Sequence, residues 1–338
     1  MRKKTIVGLL ACLLMSIAMG GCTSMQTVKM PAASKYPERP ITMIVPFSAG
    51  SAMDLAARML EKDAVNKLGQ PLVIVNKPGG TGTIGWNELV SASADGYTIG
   101  MSGIDVILQP LYGSTKYNYQ TALAPVAQIA PVPLVMVIKG DQPWENVTEL
   151  VAYAKNHPRE IKFGHWGTGS LAHVVGQTFA QTTNISLEQV PFRGGSEVLT
   201  ALLGGHVQIG FFTPLIIKEH MKSGTVKALA VATDRRLDDP VFAQVPTFKE
   251  QGLDIAISDW FGIVGPKEMP VEVKNKLAKA FESMITSPDF KKNMENAGME
   301  VAYLSPQDSA VKWLDENKKL GKLVNETGIL DLIKSQKQ

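Results

Sequence analysis

The stretch Ile41-Thr42-Met43-Ile44-Val45-Pro46-Phe47-Ser48-Ala49-Gly50-Ser51-Ala52-Met53-Asp54 passes from apolar residues through a run of small ones to an acid. Ile41 to Phe47 predicts a strand, and a helix is expected to begin near Asp54. Every residue from Ser48 to Ala52 is small, which leaves backbone N–H groups bare at the junction. A helix N-terminus adds about half a unit of positive charge at such a place. Strand, small turn and helix together make an anion site that needs neither Lys nor Arg. The same residues also fit a tight turn that is merely capped by Asp54, and the sequence leaves both readings open.

The pattern recurs outward from this point. Strands are expected at Leu72–Asn76, Tyr97–Gly103, Leu134–Lys139, Ile161–Gly164, Val190–Phe192, Val207–Phe212 and Val226–Thr233. Amphipathic stretches lie between them. In Leu171 to Gln181, Leu171, Val174, Val175, Thr178 and Phe179 share one face, and Val273, Leu277, Phe281 and Met284 do so further on. From Pro270 the chain is nearly all helical in pattern, and Ser305-Pro306-Gln307-Asp308 opens the final helix with a capping serine. Alternation of this kind is α/β layering. At 338 residues the chain is long enough for about two domains. No proline-rich linker separates two halves, so the chain is expected to cross between them through short segments, at Ile129–Pro133 and Ser258–Gly262.

Three further turns share the small, hydroxyl-rich character of Ser48–Ala52. Gly164-His165-Trp166-Gly167-Thr168-Gly169-Ser170 stands at a strand-to-helix junction, with His173 one turn into the helix. Pro191-Phe192-Arg193-Gly194-Gly195-Ser196 precedes another helix, and Arg193 has the fork that fits a carboxylate. Phe212-Thr213-Pro214 carries one hydroxyl. Each alone is weak; the four together point to anion binding at strand ends. Gly80-Thr81-Gly82-Thr83-Ile84-Gly85 has the spacing of a dinucleotide fingerprint, but Lys77-Pro78-Gly79 separates it from its strand, and a plain glycine turn is expected.

Other chemistries find little support. There is no Gly-x-Ser-x-Gly elbow, no His-Glu-x-x-His and no P-loop, and the five histidines are scattered, so neither an enzyme nor a metal site nor a cofactor is expected. Lys+Arg 34 against Asp+Glu 31 gives no basic field for a nucleic acid. Of the five tryptophans, Trp166 and Trp260 are the candidates for lining a pocket.

The N-terminus reads as an address. Arg2, Lys3 and Lys4 precede an apolar run from Ile6 to Met19, too short to span a bilayer and typical of a secretory signal. The run ends in Met19-Gly20-Gly21-Cys22, which resembles a bacterial lipobox with Cys22 as the lipidated residue; an ordinary signal peptide with an incidental cysteine is the alternative. Loss of Arg2, Lys3 and Lys4 takes the formal charge from +3 to zero. Thr23 to Tyr36 then reads as a flexible tether.

Taken in order, Tyr36-Pro37-Glu38-Arg39-Pro40-Ile41, Val45-Pro46-Phe47-Ser48-Ala49-Gly50, Asn76-Lys77-Pro78-Gly79-Gly80, Asp95-Gly96-Tyr97-Thr98, Gly164 to His173, Pro191-Phe192-Arg193-Gly194-Gly195 and Trp260-Phe261-Gly262 resemble the Bug receptors. These are the extracytoplasmic substrate-binding proteins of tripartite tricarboxylate transporters. The likeness runs over about residues 36 to 320. It implies an α/β periplasmic-binding-protein fold of type II, with mixed sheets flanked by helices and a ligand cleft between two domains. It also implies domain 1 over 37–136 plus 258–338 and domain 2 over 137–257, following the signal peptide 1–21 and lipidated tether 22–36 read from the N-terminal residues.

By the same resemblance the ligand is an organic carboxylate, di- or tricarboxylic and possibly aromatic, handed to a membrane permease. The residues carried over are Ser48, Ala49, Gly50, Ser51 and Asp54 on one side, and Gly167, Thr168, Ser170, His173, Arg193, Gly194 and Thr213 on the other. Ser51, Met53, Trp166 and Thr213 depart from the family's usual residues, so the identity of the ligand does not carry over; Trp166 favours a flat or aromatic one. The expected partners are that small molecule and the permease subunits, with contact to the membrane only through the lipid and the protein itself a monomer. Two other classes fit the sequence: a sensor subunit feeding a histidine kinase, and an exported enzyme on the same scaffold.

Overall fold

The computed structural model describes residues 35–326 and 329–336. The expected signal peptide and lipidation site Cys22 lie outside the described residues. Tyr36, expected to close the tether, belongs to the body instead: its ring is buried against Tyr97 and its hydroxyl donates to the Gly96 carbonyl at 2.6 Å.

Among the described residues, ten strands form two five-stranded sheets. In the first, β1 (Ile41–Val45), β2 (Leu72–Asn76) and β3 (Thr98–Ser102) are parallel, and β10 (Asp259–Pro266) runs antiparallel between β3 and β4 (Leu123–Val132), giving the order β2-β1-β3-β10-β4. In the second, β6 (Lys162–His165), β7 (Glu188–Pro191) and β8 (Ile209–Phe212) are parallel. There β5 (Val135–Lys139) runs antiparallel between β8 and β9 (Val226–Val231), giving β7-β6-β8-β5-β9. The two sheets therefore repeat one plan. Each is flanked by helices, which makes a two-domain α/β fold, and we call the two halves lobes.

The chain leaves the first sheet after β4 and enters the second at β5 across Pro133 and Leu134; it returns at Asp259. The segments Ile129–Pro133 and Ser258–Gly262 are thus mostly strand, the last part of β4 and the first part of β10. Neither was legible as a strand. β4 carries Pro125 and Pro131 and nine of its ten residues are buried, so it shows no alternation. Its place at the sheet edge is what lets prolines sit in it without breaking a ladder. β10 is buried at every residue, which likewise erases the two-residue period.

The C-terminal helices follow the sequence closely. Val271–Ile285 packs through Val273, Leu277, Phe281 and Met284, all buried. Ser305 caps Pro306–Glu326, accepting from the Asp308 N–H at 3.1 Å. The parallel strands β1, β6, β7 and β8 all end at the turns singled out above, each followed by a helix N-terminus. That arrangement puts the helix ends on the crevice side of both sheets, the usual ligand-binding edge of an open α/β sheet.

Candidate functional site

The turn after β1 is organised by two reciprocal bonds. Ser51, in extended conformation, caps the helix Ala52–Glu61 by accepting from the Asp54 N–H at 3.3 Å. Asp54 returns the favour: its Oδ2 accepts from the Gly50 N–H at 2.9 Å. Gly50 holds φ +75°, a conformation that suits glycine. Asp54 also accepts from Arg58 at 2.9 Å and from the Asn76 amide at 2.9 Å. Burial pushes its carboxyl up, but the bonds from Arg58, Gly50 and Asn76 outweigh it and hold the group below the usual range. Asp54 is buried and braces the turn. The Ser51 N–H goes to the Ser48 carbonyl at 3.1 Å. The N–H groups of Ala52 and Met53, in the first turn of the helix, have no intrahelical acceptor.

The turn after β6 is built the same way up to a point. Ser170, fully buried and extended, caps Leu171–Thr183 by accepting from the His173 N–H at 3.3 Å. His173 Nδ1 accepts from the Gly169 N–H at 3.0 Å, and His165 Nδ1 donates to the Gly167 carbonyl at 2.9 Å. The two imidazoles stack with centroids 4.5 Å apart. Burial, with His173 beside it, holds His165 down to about 3, and burial lowers His173 to about 4, so both are neutral at pH 7. His173 therefore shapes the turn from beneath.

What differs is the group facing this second helix end. Asp105, from the first lobe, places Oδ1 on the Leu171 N–H at 2.8 Å and Oδ2 on the Trp166 indole N–H at 2.9 Å. A carboxylate of the protein itself thus occupies the anion position of the turn. Burial pushes the Asp105 carboxyl up, and neighbouring Asp259 adds to it.

The lobes meet around these turns. Ser48 Oγ lies 3.3 Å from Ser196 Oγ, and Ser196 donates to the Ala49 carbonyl at 3.1 Å. Thr81 donates to the Thr168 carbonyl at 3.1 Å and Gln109 to the Gly169 carbonyl at 2.8 Å. Gly167 and Gly194 are where the backbones come closest: a Cβ on Gly167 would run into Thr81, and one on Gly194 into Ser48. The Gly80–Gly85 segment is a glycine turn leading into the helix Thr83–Ser91, and it delivers Thr81 to the facing lobe.

Between the lobes lies a cavity walled by Phe47, Met53, Trp166, Phe212, Ile216 and Phe261, with Ser51, Ala52, Gly195, Thr213 and Asp259 completing it. It holds about 40 Å³. Roughly 10–15 Å³ of such space takes one water, so an organic ligand reaches it only with the lobes further apart. Thr213 is buried and its Oγ1 has no hydrogen-bond partner among the described residues.

Of the residues named from sequence, Ser51 and Thr213 line this cavity. Ser48, Ala49, Gly50, Gly167, Thr168 and Gly194 form the closing seam around it, while Asp54, Ser170 and His173 brace the turns. Arg193 is exposed and lies outside the cavity wall; its backbone N–H goes to Glu197 at 3.1 Å. Trp166 lines the cavity, whereas Trp260 packs on Trp313 at 5.7 Å between centroids. Asp105, Asp259 and Gln109 give no signal in the sequence, and Thr81 and Ser196 appear there only as members of glycine turns. An acid beside a helix start reads as an ordinary cap, and nothing local to Asp105 announces that it serves a helix 66 residues away.

The family described as the tripartite tricarboxylate transporter family receptor matches residues 56–329. BugT of Bordetella pertussis is 31% identical over 301 residues, 88% of this chain and 92% of its own length. The structure of the periplasmic binding protein BugD is similar with a TM-score of 0.83 at 30% identity, covering 87% of this chain and 99% of that one. MatC of Rhodopseudomonas palustris, solved with bound malate, gives a TM-score of 0.79 at 26% identity, covering 86% of this chain and 100% of that one.

Proposed function

From the premise that this chain belongs to the tripartite tricarboxylate transporter family of receptors, and is a periplasmic solute-binding protein of the Bug type, we propose that it captures an organic carboxylate between its lobes and delivers it to the membrane permease. In this reading it is exported, anchored through a lipid on Cys22, and works as a monomer. In this reading the lobes follow the two sheets, changing over at Pro133–Leu134 and again at Asp259, close to the expected domain boundaries at 136/137 and 257/258.

The observation that carries the reading is the pairing of a helix N-terminus with an unsatisfied hydroxyl on one cavity wall. Ala52 and Met53 offer first-turn N–H groups, and Thr213 Oγ1 offers a buried O–H without a partner. A buried hydroxyl left unpaired costs free energy that a ligand oxygen would recover. The Gly50 and Ser51 N–H groups are already used within the turn, so the carboxylate would sit one step further along, on Ala52 and Met53 with Ser51 Oγ beside them. Closure would then bring Thr168, Gly194 and Ser196 against Thr81 and Ser48, shutting out water and strengthening each bond to the ligand.

The test is thermal unfolding of the exported protein, unfolded and refolded to strip carried ligand, against mono-, di- and tricarboxylic, aromatic and amino acids. A ligand at 100 times its Kd adds about 2.7 kcal/mol, which at ~2–4 °C per kcal/mol is a rise of about 5–11 °C. A selective rise is the expected result; no rise with any acid would overturn the reading. Loss of uptake of that ligand on deleting the gene would tie the protein to transport.

A further inference from the structure

The cavity wall holds a single ionisable side chain. That residue is Asp259, and no lysine or arginine joins it. Its Oδ1 accepts from the Ile104 N–H at 2.7 Å and from the Trp260 N–H at 2.7 Å, while its Oδ2 has no hydrogen-bond partner among the described residues. The residue is 8% exposed, so this oxygen is nearly dry and borders the cavity. An ionised carboxylate held so far from water is costly unless a cation pairs with it; Lys312 lies near enough to act on Asp259 but spends its ammonium on Glu316 at 3.2 Å.

The same wall carries a positive end. The helix Ala52–Glu61 opens on it with two N–H groups lacking intrahelical acceptors, and the Thr213 hydroxyl is unpartnered beside them. In the other lobe, the helix end after β6 has its Leu171 N–H and its Trp166 indole N–H taken by Asp105, while Gly195, the first residue of the helix Gly195–Leu203, stands on the cavity wall. A second carboxylate placed beside Asp259 would meet like charge, whereas a cation there would be attracted. The site is dipolar: a positive helix end and the Asp259 carboxyl share a wall otherwise made of residues such as Phe47, Phe212, Ile216 and Phe261.

Resting on the reading that this cleft receives a carboxylate, we propose that its ligand is a small apolar α-amino acid. The carboxylate takes the Ala52 and Met53 N–H groups and the Thr213 hydroxyl. The ammonium donates to Asp259 Oδ2, and the side chain fills the aromatic and aliphatic wall. The zwitterion brings no net charge into the cleft, which matches what the walls present.

The experiment compares matched pairs by calorimetry on the exported, refolded protein: leucine against 4-methylpentanoate and valine against 3-methylbutanoate, with malate and citrate as multivalent acids. The amino acid is expected to bind about 10–100-fold more tightly than the acid lacking the amine, the worth of one charge-assisted hydrogen bond. Asp259→Asn, which keeps an oxygen for the Ile104 and Trp260 N–H groups, should erase that ratio while leaving the desamino acid bound. Equal affinity within each pair, or an unchanged ratio in Asp259→Asn, would overturn the amino-acid assignment and leave the carboxylate receptor standing. Binding of malate or citrate in place of the amino acids would do the same. Binding of none of them would overturn the assignment together with the receptor reading. The wild-type pair comparison decides the matter even where the variant does not fold.

Discussion

The turns at 48–51 and 166–170 are close copies: each ends a parallel strand, each consists mostly of small residues, and each closes on a serine in the same extended conformation (φ −66° and −68°) that caps the next helix at 3.3 Å. Their environments are not copies. The helix after the first turn opens on the cavity, whereas the helix after the second is plugged by Asp105 from the opposite lobe. An anion socket is therefore defined by what faces it as much as by its own residues. In the proposed reading the first receives the ligand, and the second is part of the way the lobes hold each other.

The largest effect should come from pulling the plug. Asp105→Ala strands two buried donors that now bind a carboxylate, at about 2–4 kcal/mol of stability. The unfolding midpoint should fall by roughly 5–15 °C. The emptied turn would then resemble the first, and malate affinity measured by calorimetry should rise. An unchanged midpoint would mean that Asp105 contributes nothing to closure.

The stacked histidines beneath the second turn have no counterpart in the first, and they give it a pH dependence. Their folded pKa values are depressed, to about 3 for His165 and about 4 for His173. Below about pH 6.5 the unfolded chain takes up protons that the folded one refuses, so this stability is complete above pH 6.5 and is lost as pH falls towards 4. Raised carboxyls at Asp105 and Asp259 work in the opposite sense, favouring the folded state as pH falls, so the clean measurement is a difference between two proteins. The advantage of the parent over His165→Asn should shrink by up to about 1.4 kcal/mol per pH unit below pH 6.5 and stay level above it. A level difference across pH 4–7, followed by denaturant unfolding, would show that His165 is not excluded from protonation.

Smaller effects separate the two caps. Ser51→Ala and Ser170→Ala should each cost about 1 kcal/mol of stability. Only Ser51→Ala should weaken the ligand as well, because Ser51 lines the cavity and Ser170 is buried beneath its own turn. Equal losses of affinity in the two variants would show that the two turns serve the ligand alike. The mildest change is Gly194→Ala. Its φ of 177° suits any residue, so the backbone accepts alanine, and the atoms nearest the added Cβ are those of Ser48 across the seam. Ligand affinity should drop by about 5-fold, on the order of 1 kcal/mol, and Ser48→Gly in the same chain should restore it.

Most strands were legible because their apolar runs are bounded by turn residues. Leu72–Asn76 is identical in sequence and structure, and the other predicted ends shift by up to two residues. β4 and β10 escaped because burial on both faces removes alternation, and the prolines of β4 argue against a strand until its edge position is known. Within the site, the caps at Ser51 and Ser170 follow from local spacing. The roles of Asp105, Asp259 and Thr81 do not, since their partners lie on other elements or in the other lobe.

The chain by itself determined the local chemistry: where strands stop, where small residues bare the backbone, and where a helix end presents N–H groups. These are settled within a few residues by side-chain size, backbone freedom and capping. Only the tertiary structure decided which helix end stays open, because that depends on whether an acid distant in sequence is carried to it. Asp105 reaches the Leu171 N–H across 66 residues and from the other sheet, and Asp259 reaches the cavity only after the chain has crossed the lobes and returned. Local spacing has no access to such encounters; the packing of one lobe against the other creates them.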